Sequence, residues 1–382
     1  MLNEESIKYL ISIGENSAVE FKSSDVRAES LAKEMTAFAN GSGGIVLIGV
    51  SDNKEIAGIK ESFNYEEWVS NIARNNIIPS IVPDIYSFCI DDKKIVAVEV
   101  LKGLDKPYRS LDNNYYIRVG STIRVAAREE LMRLFQQSGV FHYDIIGIDL
   151  TSIKDLDMLK IDEYFSRYEV NFTEMEEIEK LNILRNTDIM TESNLVTVAG
   201  LLMFGINPSK HLKSCGISFA HFNGTELTEE LIDKQNIDGT LNNQVDIALA
   251  VIKNNILNPS KIDGTTRNEK KLFSDKVFRE LITNACVHRN YSITGSKIRI
   301  FMFDDRIEFY SPGRLPNTVT IEKLRAGVSY SINPVIVKFM ENLRYIDKLG
   351  RGIPMVCKEA EKNSKYIDFF ELGEEFKVVL QL

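Results

Sequence analysis

Apolar residues in this chain come in short runs that end at or near glycine, and this limits what it can fold into. IVLIGV at 45–50 and VAGLLMFG at 198–205 are the strongest of these runs. Both fall far short of the roughly eighteen residues a helix needs to cross a bilayer. The apolar surface must therefore be buried internally, in short strands and helices packed on one another. With 382 residues the chain can build two or three such domains. Its start, MLNEESIKYLISIGE, mixes charge with apolar residues and lacks the basic-then-apolar order of a leader, so cytoplasm is the expected location. Cys89, Cys215, Cys286 and Cys357 form no CxxC pair and make no metal-ligand spacing pattern with the four histidines, which points to neither a disulfide framework nor a zinc cluster. A net charge of −9 argues against indiscriminate coating of nucleic acid, whose affinity comes largely from phosphate neutralisation.

In the first third, AESLAKEMTAFAN places Leu31, Met35 and Phe38 at helical spacing. Asn40 and Gly41 end this helix, GSGG turns the chain, and GIVLIGV reads as a buried strand leading through SDNKE into a hairpin. Alternation in IYSFCI, IVAVEV and NNYYIRVGS predicts further antiparallel pairs, and a helix from Arg128 to Gln137 closes the unit. The glycines of GSGG follow a helix and enter a strand, the wrong polarity for a phosphate loop. No Walker motif occurs anywhere in the chain, which excludes a P-loop helicase. Lys102 to Arg133 holds seven basic residues, including Arg109, Arg118, Arg124 and Arg128, against four acidic ones, with Tyr108, Tyr115 and Tyr116 between them. The pattern fits either a nucleic-acid face or an ordinary solvated one.

ENSAVEFKSS, AFANGSGGIVLIGVSD and YIRVGS, in that order, resemble the Schlafen AlbA-like domain of many bacterial regulators, the likeness covering roughly residues 10 to 135 of an expected domain 1–135. In nuclease members of that family, two glutamates and an aspartate form an acidic metal site for RNA cleavage. The resemblance assigns Glu15, Glu20 and Asp52 to those positions, with Mg²⁺ or Mn²⁺ as the implied ion. Clustered carboxylates holding a hard cation are what metal-assisted phosphodiester cleavage requires. Solvated glutamates and a turn aspartate would read the same way in sequence.

Residues 136–190 switch to helical periodicity with many acids and are expected to form a helical connector. Beyond them, VTVAGLLMFG and CGISFAHFNG read as buried strands or as a strand and a short helix. GTLNNQVDIALAVIKNNI is an amphipathic helix. FRELITNACVHRNY then carries Glu280, Asn284 and His288 four residues apart, on one stripe of a helix whose Phe278, Leu281, Ile282 and Ala285 face the other way. KIRIFMF and RIEFYSPGRLP form a hairpin running into a Pro-Gly turn. In DKLGRGIPMV, Gly350 and Gly352 lead into a helix that starts near Ile353 and Pro354, where free N–H groups can receive phosphate.

VAGLLMFGINP, FRELITNACVHRNY, RIEFYSPGRLP, SINP and DKLGRGI together resemble a divergent GHKL-type ATPase region related to the C-terminal part of a RecG-type DNA helicase, over residues 191–382. The resemblance implies that Glu280 orients or activates the attacking water and that Asn284 holds Mg²⁺ with ATP. His288, Ser311, Gly313, Gly350 and Gly352 would line the cofactor site. Such enzymes place an Asp before the first glycine turn to bind the adenine amine; here Ser311 stands there.

The expected fold class is α+β: a Schlafen AlbA-like domain, a helical connector and a GHKL-like α/β sandwich. The expected function is an ATP-binding, nucleic-acid-binding regulatory protein, of transcriptional-regulator type, in which nucleotide sets the arrangement of domains or of subunits in a homo-oligomer. A metal-dependent RNase, of the kind that would serve phage defence, and a non-catalytic scaffold with vestigial pockets are the alternatives. No membrane partner is expected.

Overall fold

A strand buried on both faces reads as a continuous apolar run, and IVLIGV is one. In the computed structural model, which describes residues 2–227, 230–256, 261–263, 266–268, 272–316, 319–328, 330–347 and 350–382, the run forms strand Gly43–Ile48. Val46 and Ile48 meet Leu31, Met35 and Phe38 of helix Ala28–Asn40 on one side of the sheet. Leu47 packs with Ile7 and Ile11 of helix Glu4–Ile13 on the other. The sheet has the strand order Val19–Lys22, Gly43–Ile48, Lys93–Leu101, Asp84–Ile90. Its first pair is parallel, bridged by the crossover helix Ala28–Asn40, and the others are antiparallel. Tyr116–Val119 and Thr122–Val125 make a separate hairpin, and helix Arg128–Gln137 follows. The SDNKE turn is closed by a single bridge, Val50 to Ile56, rather than by a paired strand.

The AFANGSGG stretch is a packing device. Buried Asn40 donates Nδ2–H to the carbonyls of Tyr108 (2.8 Å) and Tyr116 (2.9 Å) and accepts from the Tyr108 N–H (2.7 Å), fastening the helix end to chain seventy residues away. A Cβ on Gly44 would lie 2.2 Å from the Phe38 ring, so only glycine lets this strand approach the helix.

The chain divides into two compact units, Met1–Phe141 and His142–Leu382. The second is built on a six-stranded sheet in the order Leu231–Ile237, Ile217–Phe222, Ile298–Met302, Arg306–Pro312, Glu375–Gln381, Ile367–Leu372. The pair Ile217–Phe222 and Ile298–Met302 is parallel; the rest are antiparallel. Helices Leu241–Asn255 and Asp275–Val287 supply Val245, Ala248, Leu281 and Ile282 to the core that includes Ile300 and Phe309 of the sheet. VAGLLMFG takes the second of its two readings: residues Val198–Phe204 are helical, every one of them buried, capped by Thr197 Oγ1 accepting from Gly200 N (2.9 Å). A helix buried all round has no polar side, so its sequence lacks periodicity.

The segment expected as a connector shares this core from residue 142 onward. Leu156, Ile161, Tyr164, Phe165, Phe172 and Leu184 are part of it, and Tyr164 meets Phe204 and Phe339 edge-on at ring separations of 5.4 and 5.3 Å. The class is α+β, and no helix among the described residues is long and apolar enough to cross a membrane.

Asn40→Ala would leave one N–H and two carbonyls buried without partners, at a cost of about 2–4 kcal/mol. The single tryptophan, Trp68, packs against this unit's core. Urea unfolding followed by its fluorescence should show the loss as a lowered midpoint with an unchanged slope.

Candidate functional site

Helix Asp275–Val287 buries Val277, Phe278, Leu281 and Ile282, which forces the stripe one quarter-turn away to face sideways along the sheet. Glu280, Asn284 and His288 line one pocket there, together with Ser311, Gly313, Gly350 and Gly352. Segments far apart in sequence thus converge on a single cavity whose remaining wall is largely apolar, including Leu281, Phe309, Leu315, Val319 and Ile332.

Within the pocket, Asn284 Nδ2 donates to Glu280 Oε1 (2.9 Å), which leaves the amide oxygen of Asn284 as an acceptor. Burial raises the Glu280 carboxyl above the ordinary glutamate range; the Asn284 hydrogen bond works against this, and the charge of Asp347 adds to it. Burial also pushes the His288 imidazole down to about 4, so the ring is neutral at pH 7. Ser311 donates its Oγ–H to the carbonyl of Ala285 (2.8 Å). With its proton committed, that hydroxyl offers a ligand only its lone pairs.

The glycines sit in close contact, and a side chain at Gly352 would force the Glu280 carboxylate to move. A Cβ on Gly352 would stand 1.7 Å from Glu280 Oε1, and one on Gly313, at φ +123°, would stand 2.8 Å from the Asn290 Cβ. Gly350 and Gly327 press on each other's backbone: a Cβ on the first would lie 2.0 Å from the Gly327 carbonyl oxygen, and one on the second 2.5 Å from that of Gly350. Helix Gly352–Lys362 begins at this point, with its N-terminus beside the stripe. Gly327, Arg314, Tyr330 and Asp347 also line the pocket; Arg314 and Asp347 lie within the stretches RIEFYSPGRLP and DKLGRGI but are not among the site residues that the resemblance implies. Gly327 carries a readable signal, a glycine just past helix Ile321–Arg325; Tyr330 has none.

The N-terminal candidates come together differently. Glu20, 5% exposed, accepts from Arg118 Nη2 (2.6 Å) and pairs with Lys22. Glu34 pairs with the same two cations, at 3.0 Å to Arg118 and 3.1 Å to Lys22. Arg118 also donates to the carbonyls of Asn16 (2.9 Å) and Val19 (3.0 Å) and lies over the Phe38 ring at 4.7 Å. Glu15 Oε1 accepts from the Phe21 N–H (2.9 Å), and Asp52 is exposed in the SDNK turn. Glu20 is thus neutralised by two cations, Glu15 is bonded to a main-chain N–H within strand Val19–Lys22, and Asp52 stands in solvent. Among the described residues no three His, Cys, Asp or Glu side chains converge to hold a metal ion. As arranged, these residues do not fit Mg²⁺ or Mn²⁺.

Of the four candidate nucleic-acid arginines, Arg118 requires correction. Its side chain is 4% exposed and it already bonds two carboxylates and two carbonyls, so a phosphate could reach it only by breaking the ion cluster. Arg124 is half exposed and forked onto Glu130 (2.8 and 2.7 Å). Arg109 bonds Asn113, and Arg128 is exposed at the first turn of helix Arg128–Gln137. Within the basic stretch, Lys106 and Tyr108 are buried, Lys106 donating to the Gly41 carbonyl (2.6 Å).

Comparison with known proteins finds one family match in each part of the chain. Residues 15–127 match the family described as Schlafen, AlbA_2. Residues 295–380 match the family described as "Putative ATP-dependent DNA helicase recG C-terminal", a stretch that begins after the striped helix. No curated protein matches the chain. Among solved structures, the DIP2311 protein from Corynebacterium diphtheriae is 17% identical, with 96% of this chain and 75% of that one covered at a TM-score of 0.49. The N-terminal domain of a RecG-related protein from Nitrosomonas europaea is 19% identical, with 33% of this chain and 95% of that one covered at a TM-score of 0.25. The chain joins a Schlafen AlbA_2 domain at its N-terminus to a RecG-related, ATPase-like domain at its C-terminus.

Proposed function

We propose that the protein is a nucleic-acid-binding regulator whose C-terminal unit binds ATP in a GHKL-type site. The observation that carries the reading is the convergence of the Glu280–Asn284–His288 stripe, the Ser311–Gly313 turn and the Gly350–Gly352 turn on one pocket. Each part has a chemical task. The Asn284 amide oxygen, left free by its hydrogen bond to Glu280, suits a hard cation. Bound Mg²⁺ would supply neutralisation of phosphate charge. The opening turn of helix Gly352–Lys362 offers N–H groups and the positive end of a dipole to phosphate oxygens. Ser311, acting only as an acceptor, suits an exocyclic amine such as that of adenine and repels a carbonyl at the same position. Glu280 is the group placed to orient or deprotonate a water.

On this reading the N-terminal unit meets nucleic acid through exposed cations such as Arg128, and bound nucleotide regulates that contact. The deciding experiment incubates the purified protein with tRNA, rRNA and DNA, with and without Mg²⁺ or Mn²⁺ and ATP, and follows binding, cleavage and ATP turnover. Metal-dependent RNA cleavage would replace regulation with nuclease action.

Three outcomes follow. Asn284→Ala should weaken Mg·ATP binding at least about tenfold, the equivalent of one charge-assisted hydrogen bond, with an unchanged circular dichroism spectrum; calorimetry measures both affinity and stoichiometry. Glu280→Gln should stabilise the fold at neutral pH, because it removes a carboxylate that burial disfavours in its charged form. The folded-state pKa lies above the unfolded one, so ionisation costs stability as pH rises. The gain should therefore vanish below about pH 4, where both states are protonated, and grow through the range above it; denaturant titrations across pH read the trend. Arg124→Ala with Arg128→Ala should weaken nucleic-acid binding across sequences and flatten the salt slope by up to about 0.9 for each phosphate the variant no longer neutralises. Identical slopes in the parent and the double variant would remove these arginines from the interface.

A further inference from the structure

The chain enters the C-terminal unit by fastening itself to the back of the pocket wall. The boundary between the units falls between Phe141 and His142. At the next step His142 Nδ1 lies 3.3 Å from the Ile332 carbonyl oxygen. Two residues further, the fully buried Asp144 accepts the N–H groups of Val335 (2.8 Å) and Ile336 (3.2 Å) through one carboxylate oxygen, capping the first turn of helix Pro334–Asn342. Its other oxygen is buried without a partner.

The loop so gripped has a second side. Tyr330, Ser331 and Ile332 line the pocket. Asn333, also fully buried, donates Nδ2–H to the carbonyls of Val287 and Arg289, 2.8 Å each, on either side of His288 at the end of the striped helix. One short loop is therefore bonded to the pocket helix through Asn333 and to the incoming chain through His142 and Asp144. Displacing the loop by occupying the pocket would load both attachments.

The geometry points to a relay: residues 142–144 and residues 330–336, the loop with the first turn of helix Pro334–Asn342, move as one piece, so that a ligand in the pocket alters the segment joining the two units. Asp144 and His142 are positioning residues in this relay and touch no ligand. The inference rests on the nucleotide reading above and names the residues through which that regulation passes. Energetically it needs no more than ordinary allosteric coupling, about 5- to 150-fold.

The test uses the full chain with and without saturating Mg·ATP. Amide hydrogen exchange is read in peptides covering 136–146 and 330–337, and ATP affinity is measured by calorimetry on the same samples. In the parent protein ATP should slow exchange at least about fivefold in both peptides. Asp144→Asn keeps an acceptor of the same shape and should retain the response. Asp144→Ala and His142→Ala should each bind ATP with parental affinity and protect 330–337, while the change in 136–146 falls to within about twofold of none. Should Asp144→Ala fail to fold, His142→Ala decides by itself. Protection of 330–337 with no change in 136–146 of the parent overturns the relay and leaves ATP binding standing, as does an undiminished 136–146 response in both disrupting variants. Failure of the parent to bind ATP overturns the nucleotide reading and the relay with it.

Discussion

The C-terminal unit depends on the buried amide of Asn333, which spans the carbonyls of Val287 and Arg289. The first is the last carbonyl of helix Asp275–Val287, which has no partner within the helix, and the second lies just beyond its end. By satisfying them from another segment, Asn333 sets how far along the sheet the helix runs and which of its side chains face the cavity. Arg289, 1% exposed, extends the same work, donating to the carbonyls of Asn290 (3.1 Å), Ile293 (2.8 Å) and Ser296 (2.7 Å) and lying over the Tyr291 ring. A full positive charge held by carbonyl dipoles and a ring face, rather than by a carboxylate, fixes the turn after the helix without drawing an anion into the core.

The N-terminal unit solves the same problem with Asn40, and there the amide closes on Tyr108 and Tyr116. Its buried charges form a closed set. Glu20 and Lys22 come from one strand, Glu34 from a helix and Arg118 from a hairpin. Removing any one would leave an uncompensated charge in low dielectric, a cost of about 3–5 kcal/mol. The cluster is thus specific about how the hairpin Tyr116–Val125 seats on the sheet.

Much of this is legible in the residues themselves. The stripe at 280, 284 and 288, the turn at 311–313 and the turn at 350–352 are recognisable because helical period and glycine position are local properties of sequence, and all of them line the pocket. The partners of charged residues are not legible. Arg118 looks like the other arginines of its stretch, and only the arrangement of Glu20 and Glu34 around it, from segments about 85 to 100 residues away, shows it to be internal. VAGLLMFG is ambiguous for a different reason: burial on every side erases the period that separates helix from strand. The role of residues 142–190 is hidden because amphipathic helices look alike whether they bridge two units or pack into one; Tyr164 and Phe172 are core residues in a stretch rich in acids.

The contact between Gly327 and Gly350 carries a consequence for descent. Each position excludes a side chain because of the other's main-chain oxygen, and every amino acid has that oxygen. No substitution at one position can make room for a side chain at the other. Compensation, the usual route by which two touching residues drift together, is closed to this pair. A lineage that keeps the two loops in contact must keep both glycines, and one that loses either has separated the loops. The pair is therefore a written record: in any set of related chains, two residues reveal which members still hold this wall of the pocket together.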